Sequence, residues 1–290
     1  MIFLLIIFNQ AIDFDKLYFT ATTLLVQFSA DKDSAFNRLV ELAQDTAYSD
    51  TTIKFLVSHF DTKVAREQHA LKDLLKEIGH PAIKGIVEKI DYRGSDEESR
   101  SLRQSLWVLG EIGGDSIVEA VARFINDEQW QVRSAAYTAL GKSQSKDALS
   151  FLLEGLDDSI SLVRKSAYYA LGQLASENEI PYLIQGLGDG FFGVRYAAVD
   201  GLLRIGGAAI NPLEEAIGES RLKDYFIYKV LCHLNGERDE IVKLIQHRGP
   251  AVRQVFYEES EDTTVLKRCL ESEKNELLKN YLIERLSDLP

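Results

Sequence analysis

Several residue types are scarce in this sequence, and each scarcity narrows the choice of protein class. The 290 residues include only five prolines and two cysteines, Cys232 and Cys269. Two cysteines cannot make the disulfide framework of a small secreted domain, so we expect ordinary buried or half-buried thiols in a reducing compartment. The few prolines, and the near absence of β-type alternation, favour an all-α fold.

Basic residues are also fewer than acidic residues in this chain. The chain has 33 lysines and arginines against 45 aspartates and glutamates, which gives a formal net charge of −12. An acidic chain repels phosphate backbones, so we expect no nucleic-acid partner. A hydrophobic content of 46% is normal for a folded protein and excludes disorder.

No apolar run is long enough to cross a membrane, which takes about 20 residues. The longest run, Ile2 to Phe8, has no basic residue before it and no small-residue cleavage site after it, so it does not resemble a secretory signal. We interpret it as part of a first helix, as an N-terminal extension, or as the result of a start codon assigned too far upstream. We therefore expect no membrane insertion and a cytoplasmic location.

Recognisable catalytic and metal-binding motifs are missing as well. None of the five histidines is followed by Glu or belongs to a His-x-x-Glu or His-x3-His set, so no metal site is expected. The glycine-rich stretch 110–114 lacks the Lys and Ser/Thr of a phosphate-binding loop. No G-x-S-x-G motif or Cys/His nucleophile arrangement stands out.

What the sequence does contain is an internal repeat with a period of about 31 residues, a length typical of one supersecondary unit that is repeated and stacked. An aspartate precedes a Val-Arg pair at the same distance three times, and the three sets are evenly spaced: Asp127/Val132/Arg133, Asp158/Val163/Arg164 and Asp189/Val194/Arg195. The period predicts an α-solenoid, a superhelix of helix pairs, but it does not predict a function.

Each repeat is predicted to be two helices joined by short turns. The apolar stripe on the first helix consists of Val132, Ala135, Ala136, Ala139 and Leu140. We expect Gly141 to end this helix. The face of the second helix consists of Leu149, Leu152, Leu153 and Leu156, and Asp157 and Asp158 form the turn into the next repeat.

The repeat weakens towards both ends of the chain. Leu109-Gly110 lies one full period before Leu140-Gly141, while 74–79 resembles 108–113 at a slightly longer offset, which indicates a loop insertion within 91–99. We predict a single α-solenoid domain over 1–290. It comprises divergent N-terminal cap helices in 1–62, repeats in 63–218 and divergent C-terminal cap helices in 219–290.

The repeated aspartates and arginines are predicted to hold the stack together. An Asp in a turn and an Arg one turn into a helix can pair between stacked repeats, satisfy turn amides and fix the stacking angle. These structural ion pairs would use Asp127, Arg133, Asp158, Arg164, Asp189 and Arg195. The alternative is that the three arginines form a stripe that binds carboxylates, although structural ion pairs commonly resemble sites.

The repeat resembles the HEAT repeat, and its short period resembles the HEAT-like repeats of the E/F-type bilin lyases of phycobilisomes. The clear match covers Ser101 to Ala216. Two features strengthen the resemblance to the lyases. One is the set of tyrosines on the repeated helix, Tyr137, Tyr168, Tyr169 and Tyr196. The other is the segment VRYAAVDGLLRIGGAAINPLEEAI over 194–217, which is similar to a segment of the F-type subunits and their phycoerythrobilin relatives.

The resemblance implies attachment of a linear tetrapyrrole, with phycoerythrobilin as the expected one, by a thioether to a cysteine of a phycobiliprotein. The tetrapyrrole is then a substrate, and no tightly bound cofactor is expected. The nucleophile belongs to the client protein, so neither Cys232 nor Cys269 is required. The resemblance also implies that a second HEAT-like chain can act as a partner.

A binding face for this substrate is predicted on the repeated helix, which lines the concave groove in stacked HEAT units. Two propionates require cations, the pyrrole nitrogens require a carboxylate, and the conjugated system requires aromatic walls. The predicted binding residues are Trp130, Tyr137, Lys165, Tyr168, Tyr169, Tyr196 and Arg204. Asp200 is the catalytic candidate, because the sister repeats carry Thr138 and Tyr169 at its position. The alternative is that the tyrosines only pack between repeats, with their hydroxyls in water.

Other classes with HEAT-like folds remain as alternatives. The main one is a non-catalytic scaffold that binds phycobiliproteins or other proteins, including the relatives involved in phycobilisome disassembly. HEAT-like di-iron hydroxylases use His-Glu pairs and HEAT-like DNA glycosylases use a basic groove, and this sequence offers neither.

Overall fold

Helices make up the regular structure of this chain. The computed structural model describes residues 12–23, 29–93, 99–234, 242, 245–260 and 263–289. Within these ranges every regular element is a helix and no strand is present, which confirms the predicted all-α class of HEAT-like helix pairs. The apolar run 2–8 and most of the insertion within 91–99 lie outside the described residues. In the described ranges, no helix is both long enough and apolar enough to span a bilayer.

The chain divides into two compact units, Met1–Ala139 and Leu140–Pro290. The helices of the first unit are α1 (Phe14–Thr23), α2 (Ser29–Gln44), α3 (Ser49–Val57), α4 (Ala65–Ile78), α5 (His80–Lys89), α6 (Arg100–Ile112) and α7 (Val118–Ala122). Helix α8 (Trp130–Ser143) contains the boundary. The predicted extent of one domain over 1–290 stays a prediction.

The second unit continues the helix pairs. Its helices are α9 (Leu149–Glu154), α10 (Ser161–Leu174), α11 (Ile180–Gly186), α12 (Phe192–Ile205), α13 (Ile210–Glu215), α14 (Arg221–Leu234), α15 (Pro250–Glu259), α16 (Thr263–Ser272) and α17 (Glu276–Asp288). Helix α10 packs on α9 and α12, and α12 packs on α11 and α14. The repeated helices α8, α10 and α12 begin at Trp130, Ser161 and Phe192, and this even spacing agrees with the period of the sequence.

The repeated aspartates start the repeated helices. The Oδ1 atoms of Asp127, Asp158 and Asp189 accept hydrogen bonds from the backbone N–H two residues later, at N–O distances of 2.9, 2.8 and 2.7 Å. Such side chains satisfy turn amides that have no partner within a helix. The aspartate therefore fixes where each repeated helix begins.

The apolar stripe faces the interior as predicted, with one partial exception. Val163, Ala167 and Leu171 of α10 are fully buried, and the equivalent residues of α8 and α12 are buried as well. Ala135 is only half-buried. Removing this stripe from water supplies the main favourable contribution to stacking.

Gly141 does not end its helix, which corrects the prediction. Helix α8 continues to Ser143, and Gly172 likewise lies inside α10. A Cβ atom built on Gly172 would lie 2.7 Å from the Cα of Gly201 in α12. The glycine of the Leu-Gly pair is therefore needed where two repeated helices approach closely, and it breaks neither helix.

Candidate functional site

Two of the predicted binding tyrosines are buried, which corrects the expectation that they face outward. Tyr137 is 2% exposed and Tyr168 is 3% exposed. In the second unit, the ring of Tyr168 packs directly on Gly186 of α11, where any Cβ atom would clash with the ring. The position of Tyr168 on α10 therefore faces α11, and the buried surface of this helix is wider than the apolar stripe alone suggests.

The neighbouring tyrosines form an exposed face on the second unit. Tyr169 of α10 is 40% exposed and Tyr196 of α12 is 51% exposed. Lys165, Asp200 and Arg204 lie on the same two helices and are exposed or half-buried. We call these five residues the aromatic face.

Tyr196 is held in place by residues of α14. Its ring meets the ring of Phe226 edge-on at a centroid distance of 5.9 Å. The Nζ of Lys229 lies 5.9 Å from the centroid of the same tyrosine ring. Aromatic edge contacts and cation–π contacts each favour a defined ring orientation, so Tyr196 is exposed but oriented.

Asp200 and Arg204 are paired with each other. The Nε of Arg204 donates to Oδ2 of Asp200 at 2.9 Å, one helical turn away, and both side chains are about half exposed. The hydrogen bond that Arg204 donates to Asp200, and the negative charge of Asp200, raise the pKa of Arg204 above its usual value. An exposed pair of this kind contributes little to stability, so a ligand can replace either partner at small cost.

Lys165 adds a second cation to the aromatic face. Its side chain is exposed, and its Cδ lies 3.2 Å from the position that a Cβ atom would take on Gly193. The stem of the lysine therefore lies along the first turn of α12. No ion pair of Lys165 is present among the described residues, which leaves its ammonium group available to an anion.

The predicted site residues divide between the two units. Trp130 is half-buried at the start of α8 and belongs with Tyr137 to the first unit. The other six predicted residues belong to the second unit, where five of them form the aromatic face and Tyr168 lies beneath the surface.

Sequence reasoning missed one aromatic residue of the first unit. Trp107 of α6 lies one period before Thr138, in the register that carries Tyr169 and Asp200 later in the chain. The Nζ of Lys72 lies 4.7 Å from the centroid of its ring. The period of the repeat could have identified Trp107, because this residue takes the same position in α6 that Thr138 takes in α8.

The repeated arginines contact the turns that begin their own helices. Arg164 donates from Nη1 to the carbonyl of Asp158 at 2.8 Å, and Arg195 donates to the carbonyl of Asp189 at 2.6 Å. Arg133 in the first unit donates to the carbonyl of Asp127 at 2.8 Å. Each arginine therefore closes the turn six residues before it.

One of these arginines also joins two repeats. Nε and Nη2 of Arg164 donate to the two carboxylate oxygens of Asp189 at 2.9 and 3.0 Å. Partial burial acts to raise the pKa of Asp189, but the hydrogen bonds from Arg164 and from the Phe191 N–H outweigh it, so the pKa lies below its usual value. The carboxyl group of Asp189 is therefore ionised in the folded chain at neutral pH.

The next junction replaces the ion pair with an aromatic contact. Ser220 stands as far after Arg195 as Asp189 stands after Arg164, so the pattern would place an aspartate where this serine is. The guanidinium of Arg195 instead lies over the ring of Phe226, 5.2 Å from its centroid. Its Nε is buried without a hydrogen-bond partner among the described residues.

A similar pair near the C-terminus escaped the sequence pattern. Arg253 of α15 forms two hydrogen bonds with Glu273, at 2.8 and 3.0 Å, and Glu273 also accepts from the N–H of Asn275 at 2.8 Å. The arginine follows Val252, but the acid is a glutamate and it stands closer in sequence than Asp189 stands to Arg164. Because the acid is a glutamate and the spacing is shorter, the repeat pattern of the sequence did not reveal this pair.

The described residues contain no group of three or more His, Cys, Asp or Glu side chains that could hold a metal ion. Cys269 is buried in α16, and its burial raises the pKa of the thiol to about 12. The side chain of Cys232 lies outside the described residues.

Two family models match separate parts of the chain. The model of HEAT repeats matches residues 83–172, and the model of the PBS lyase HEAT-like repeat matches residues 194–219. The chain therefore contains HEAT-like repeats and resembles the bilin lyases. The second match contains Tyr196, Asp200 and Arg204, so the lyase-type repeat coincides with the exposed side of α12.

Solved structures with related helical folds include proteins of different activities. The complex of CpcE and CpcF of phycocyanin lyase from Nostoc sp. PCC7120 is 14% identical, with a TM-score of 0.45 over 82% of this chain and 94% of that chain. Human deoxyhypusine hydroxylase is 17% identical, with a TM-score of 0.39 over 82% of this chain and 96% of that chain. YibA of Escherichia coli is 16% identical, with a TM-score of 0.48 over 89% and 97%. A comparison with curated protein sequences gives no match.

Proposed function

We propose that this HEAT-like protein is a bilin lyase, or one subunit of a bilin lyase, that attaches a linear tetrapyrrole to a cysteine of a phycobiliprotein. Phycoerythrobilin is the proposed substrate. The observation that carries the proposal is the match of the PBS lyase HEAT-like repeat to residues 194–219, which include three of the five residues of the aromatic face.

The aromatic face offers the groups that an open-chain tetrapyrrole requires. The rings of Tyr169 and Tyr196 can cover a flat conjugated system, while Lys165 and Arg204 can bind its two propionates. Asp200 is the group on this face that can accept hydrogen bonds from pyrrole N–H groups. Binding a propionate at Arg204 would release Asp200 from its ion pair for this role.

The reaction needs a thiol, and the client protein supplies it. Addition of the thiol across a carbon–carbon double bond of the tetrapyrrole forms one S–C bond and breaks one π bond, and the thiol proton passes to the tetrapyrrole. No oxidant or reductant takes part. Cys269 is unsuited to this role, because burial keeps its thiol protonated at neutral pH. The chain contributes by binding and orienting the chromophore.

The proposed partners are a phycobiliprotein client and, for a two-chain lyase, a second HEAT-like chain. Among solved structures with a related fold, CpcE and CpcF of phycocyanin lyase form such a complex with each other. The proposed site of action is the cytoplasm, where client subunits are made.

The test is co-expression of this chain with phycoerythrobilin-making enzymes and candidate phycobiliprotein subunits in a heterologous host. Zinc-enhanced fluorescence of the client band on a denaturing gel reports covalent attachment. We expect a fluorescent client only when this chain is present, alone or with a second HEAT-like chain. A dark client with every subunit, in the presence of either arrangement, would contradict the proposal.

Two tyrosine variants make the test specific for the aromatic face. Tyr196→Ala removes an exposed ring from this face, and we expect at least a tenfold loss of client labelling. Tyr182→Ala is the matched control, because Tyr182 is 36% exposed on α11, outside the aromatic face. Equal losses in both variants would show that the aromatic face is not the binding site.

A non-catalytic scaffold is the second candidate function. The observation in its favour is that the longer family match, over residues 83–172, is to general HEAT repeats. Repeats of this kind mostly bind other proteins. A scaffold would bind a phycobiliprotein subunit equally well with or without its chromophore, and it would leave the client dark in the co-expression test.

A further inference from the structure

One side chain beside the aromatic face has a polar group without a partner. Gln173 lies in the last turn of α10, four residues after Tyr169 and eight after Lys165, so it shares their side of the helix. The residue is half-buried, and its Nε2 atom is buried without a hydrogen-bond partner among the described residues. A buried donor without a partner costs free energy, so this amide lowers the stability of the unbound fold.

The same position in other repeats is charged and paired. The residues one period before, two periods before and one period after Gln173 are Lys142, Glu111 and Arg204. Glu111 forms an ion pair with Lys76 at 2.9 Å, and Arg204 forms one with Asp200 at 2.9 Å. Gln173 instead carries a neutral amide whose donor is unused, so the stacking of repeats does not account for this residue.

Gln173 lies at the Asp200–Arg204 end of the aromatic face. Helices α10 and α12 approach closely where Gly172 meets Gly201. Gln173 follows Gly172 and Asp200 precedes Gly201, so both residues flank this crossing. Arg204 also interacts electrostatically with Tyr169 across the two helices. A ligand that covers the rings of the aromatic face therefore ends near Gln173.

The amide of Gln173 suits an uncharged acceptor. A carboxylate binds a guanidinium more strongly than an amide, and Arg204 offers a guanidinium at the same end of the face. The last carbonyls of α10 also give this end of the helix a partial negative charge, which disfavours an anion beside Gln173. An amide N–H and a carbonyl oxygen form an uncharged hydrogen bond. The group that fits best is therefore a carbonyl oxygen of the ligand.

An open-chain tetrapyrrole differs from a cyclic one in this group. Both kinds have conjugated rings and propionates, but the open chain alone has a lactam carbonyl on each of its two end rings. We propose that Gln173 donates a hydrogen bond to a lactam carbonyl and makes the aromatic face selective for open-chain over cyclic tetrapyrroles. Rotation of the amide about its last side-chain bond turns Nε2 from its buried position towards the ligand. This inference rests on the proposed lyase function, because it concerns the same face.

The experiment titrates the full-length chain with biliverdin, an open-chain tetrapyrrole, and with protoporphyrin IX, a cyclic one, and follows the absorbance of each. Gln173→Met keeps an unbranched side chain of similar length but removes the amide. We expect the affinity for biliverdin to fall about three- to tenfold, as for the loss of one uncharged hydrogen bond, with no loss of affinity for protoporphyrin IX. Gln185→Met is the matched control, because Gln185 is exposed on α11 outside the aromatic face, and it should change neither affinity.

Thermal stability separates this role from a packing role. Gln173→Met removes a buried donor that has no partner among the described residues, so the melting temperature of the unbound chain should stay the same or rise. A residue that serves packing alone would give a lower melting temperature and an unchanged affinity for biliverdin. That result would overturn the inference.

Tyr196→Ala distinguishes the failure of this inference from the failure of the proposed function. If Tyr196→Ala weakens the binding of biliverdin but Gln173→Met does not, the role of Gln173 alone is overturned. Equal losses of affinity for both tetrapyrroles in Gln173→Met would also overturn it, because the amide would then not recognise the lactam. If biliverdin does not bind the unsubstituted chain, or binds Tyr196→Ala equally well, the proposed function of the aromatic face and this inference fail together.

Discussion

Arg164 and Asp189 form a two-bond ion pair that joins the first helices of successive repeats in the second unit. The two N–O distances are 2.9 and 3.0 Å, and both side chains are largely buried. The same arginine also closes its own turn through the carbonyl of Asp158. One side chain therefore fixes both the start of α10 and the position of α10 against α12.

Replacing this arginine should destabilise the fold. Arg164→Ala leaves the carboxylate of Asp189 partly buried without its cation, and we expect a loss of about 2 kcal/mol in the free energy of unfolding. Urea unfolding followed by circular dichroism measures it. Arg204→Ala removes an exposed ion pair and should cause a much smaller change. Unchanged stability of Arg164→Ala together with lost client labelling would instead assign Arg164 to the binding of substrate.

Stability should fall in acid because of lowered carboxyl pKa values. The pKa of Asp189 lies below its ordinary value of 3.8, and that of Glu273 below 4.5, since hydrogen bonds to the ionised forms outweigh the effect of burial. Their stabilising contributions are complete above these ordinary values and are lost as the pH falls through the folded pKa. Unfolding free energies measured between pH 6 and pH 3 should show this loss.

The Arg164→Ala variant also serves as the control for the acid effect. Arg164→Ala removes the strongest of the interactions that lower the pKa of Asp189, so the variant should lose less stability than the unsubstituted chain between pH 4 and pH 3. Parallel pH profiles for the two proteins would show that the Asp189 pair does not cause the acid sensitivity.

The close approach of α10 and α12 should make glycine at position 172 essential for stability. A Cβ atom there would lie 2.7 Å from Gly201 Cα, which forces the two helices apart, so Gly172→Ala should cost about 2 kcal/mol. In an open helix the same change would stabilise. Gly207→Ala is the matched control, since a Cβ atom at 207 meets nothing within 4 Å. Melting temperatures that shift equally in both variants would contradict the packing argument.

Cys269 should be unreactive in the folded chain. Its thiol is buried, and its pKa is raised to about 12, so little thiolate is present at neutral pH. Iodoacetamide labelling at pH 8, followed by peptide mass spectrometry, should show modification of this residue only after denaturation. Rapid labelling of the native chain would indicate that α16 opens readily or that the thiol is accessible.

Much of the fold could be predicted from the sequence, because the regular period of the repeat and the apolar stripe are strong local signals. The role of Gly141 could not, since a glycine that ends a helix and a glycine at a helix crossing look alike in one sequence. The burial of Tyr168 depends on Gly186, which lies on another helix, and helical periodicity alone does not reveal that contact. The exposure of Tyr169 and Tyr196 could be predicted, because both residues lie further from the apolar stripe.

Tyr168 and Gly186 occupy one volume between them, and this constrains how the repeat can change. Any side chain at 186 would have to take space from the ring at 168, so the two positions behave as a single position of fixed combined size. A combinatorial library that varies both positions at once should yield folded proteins mainly when one of the two residues is large and the other is small. An engineer who wishes to change the packing of α10 on α11 must therefore redesign the two residues together.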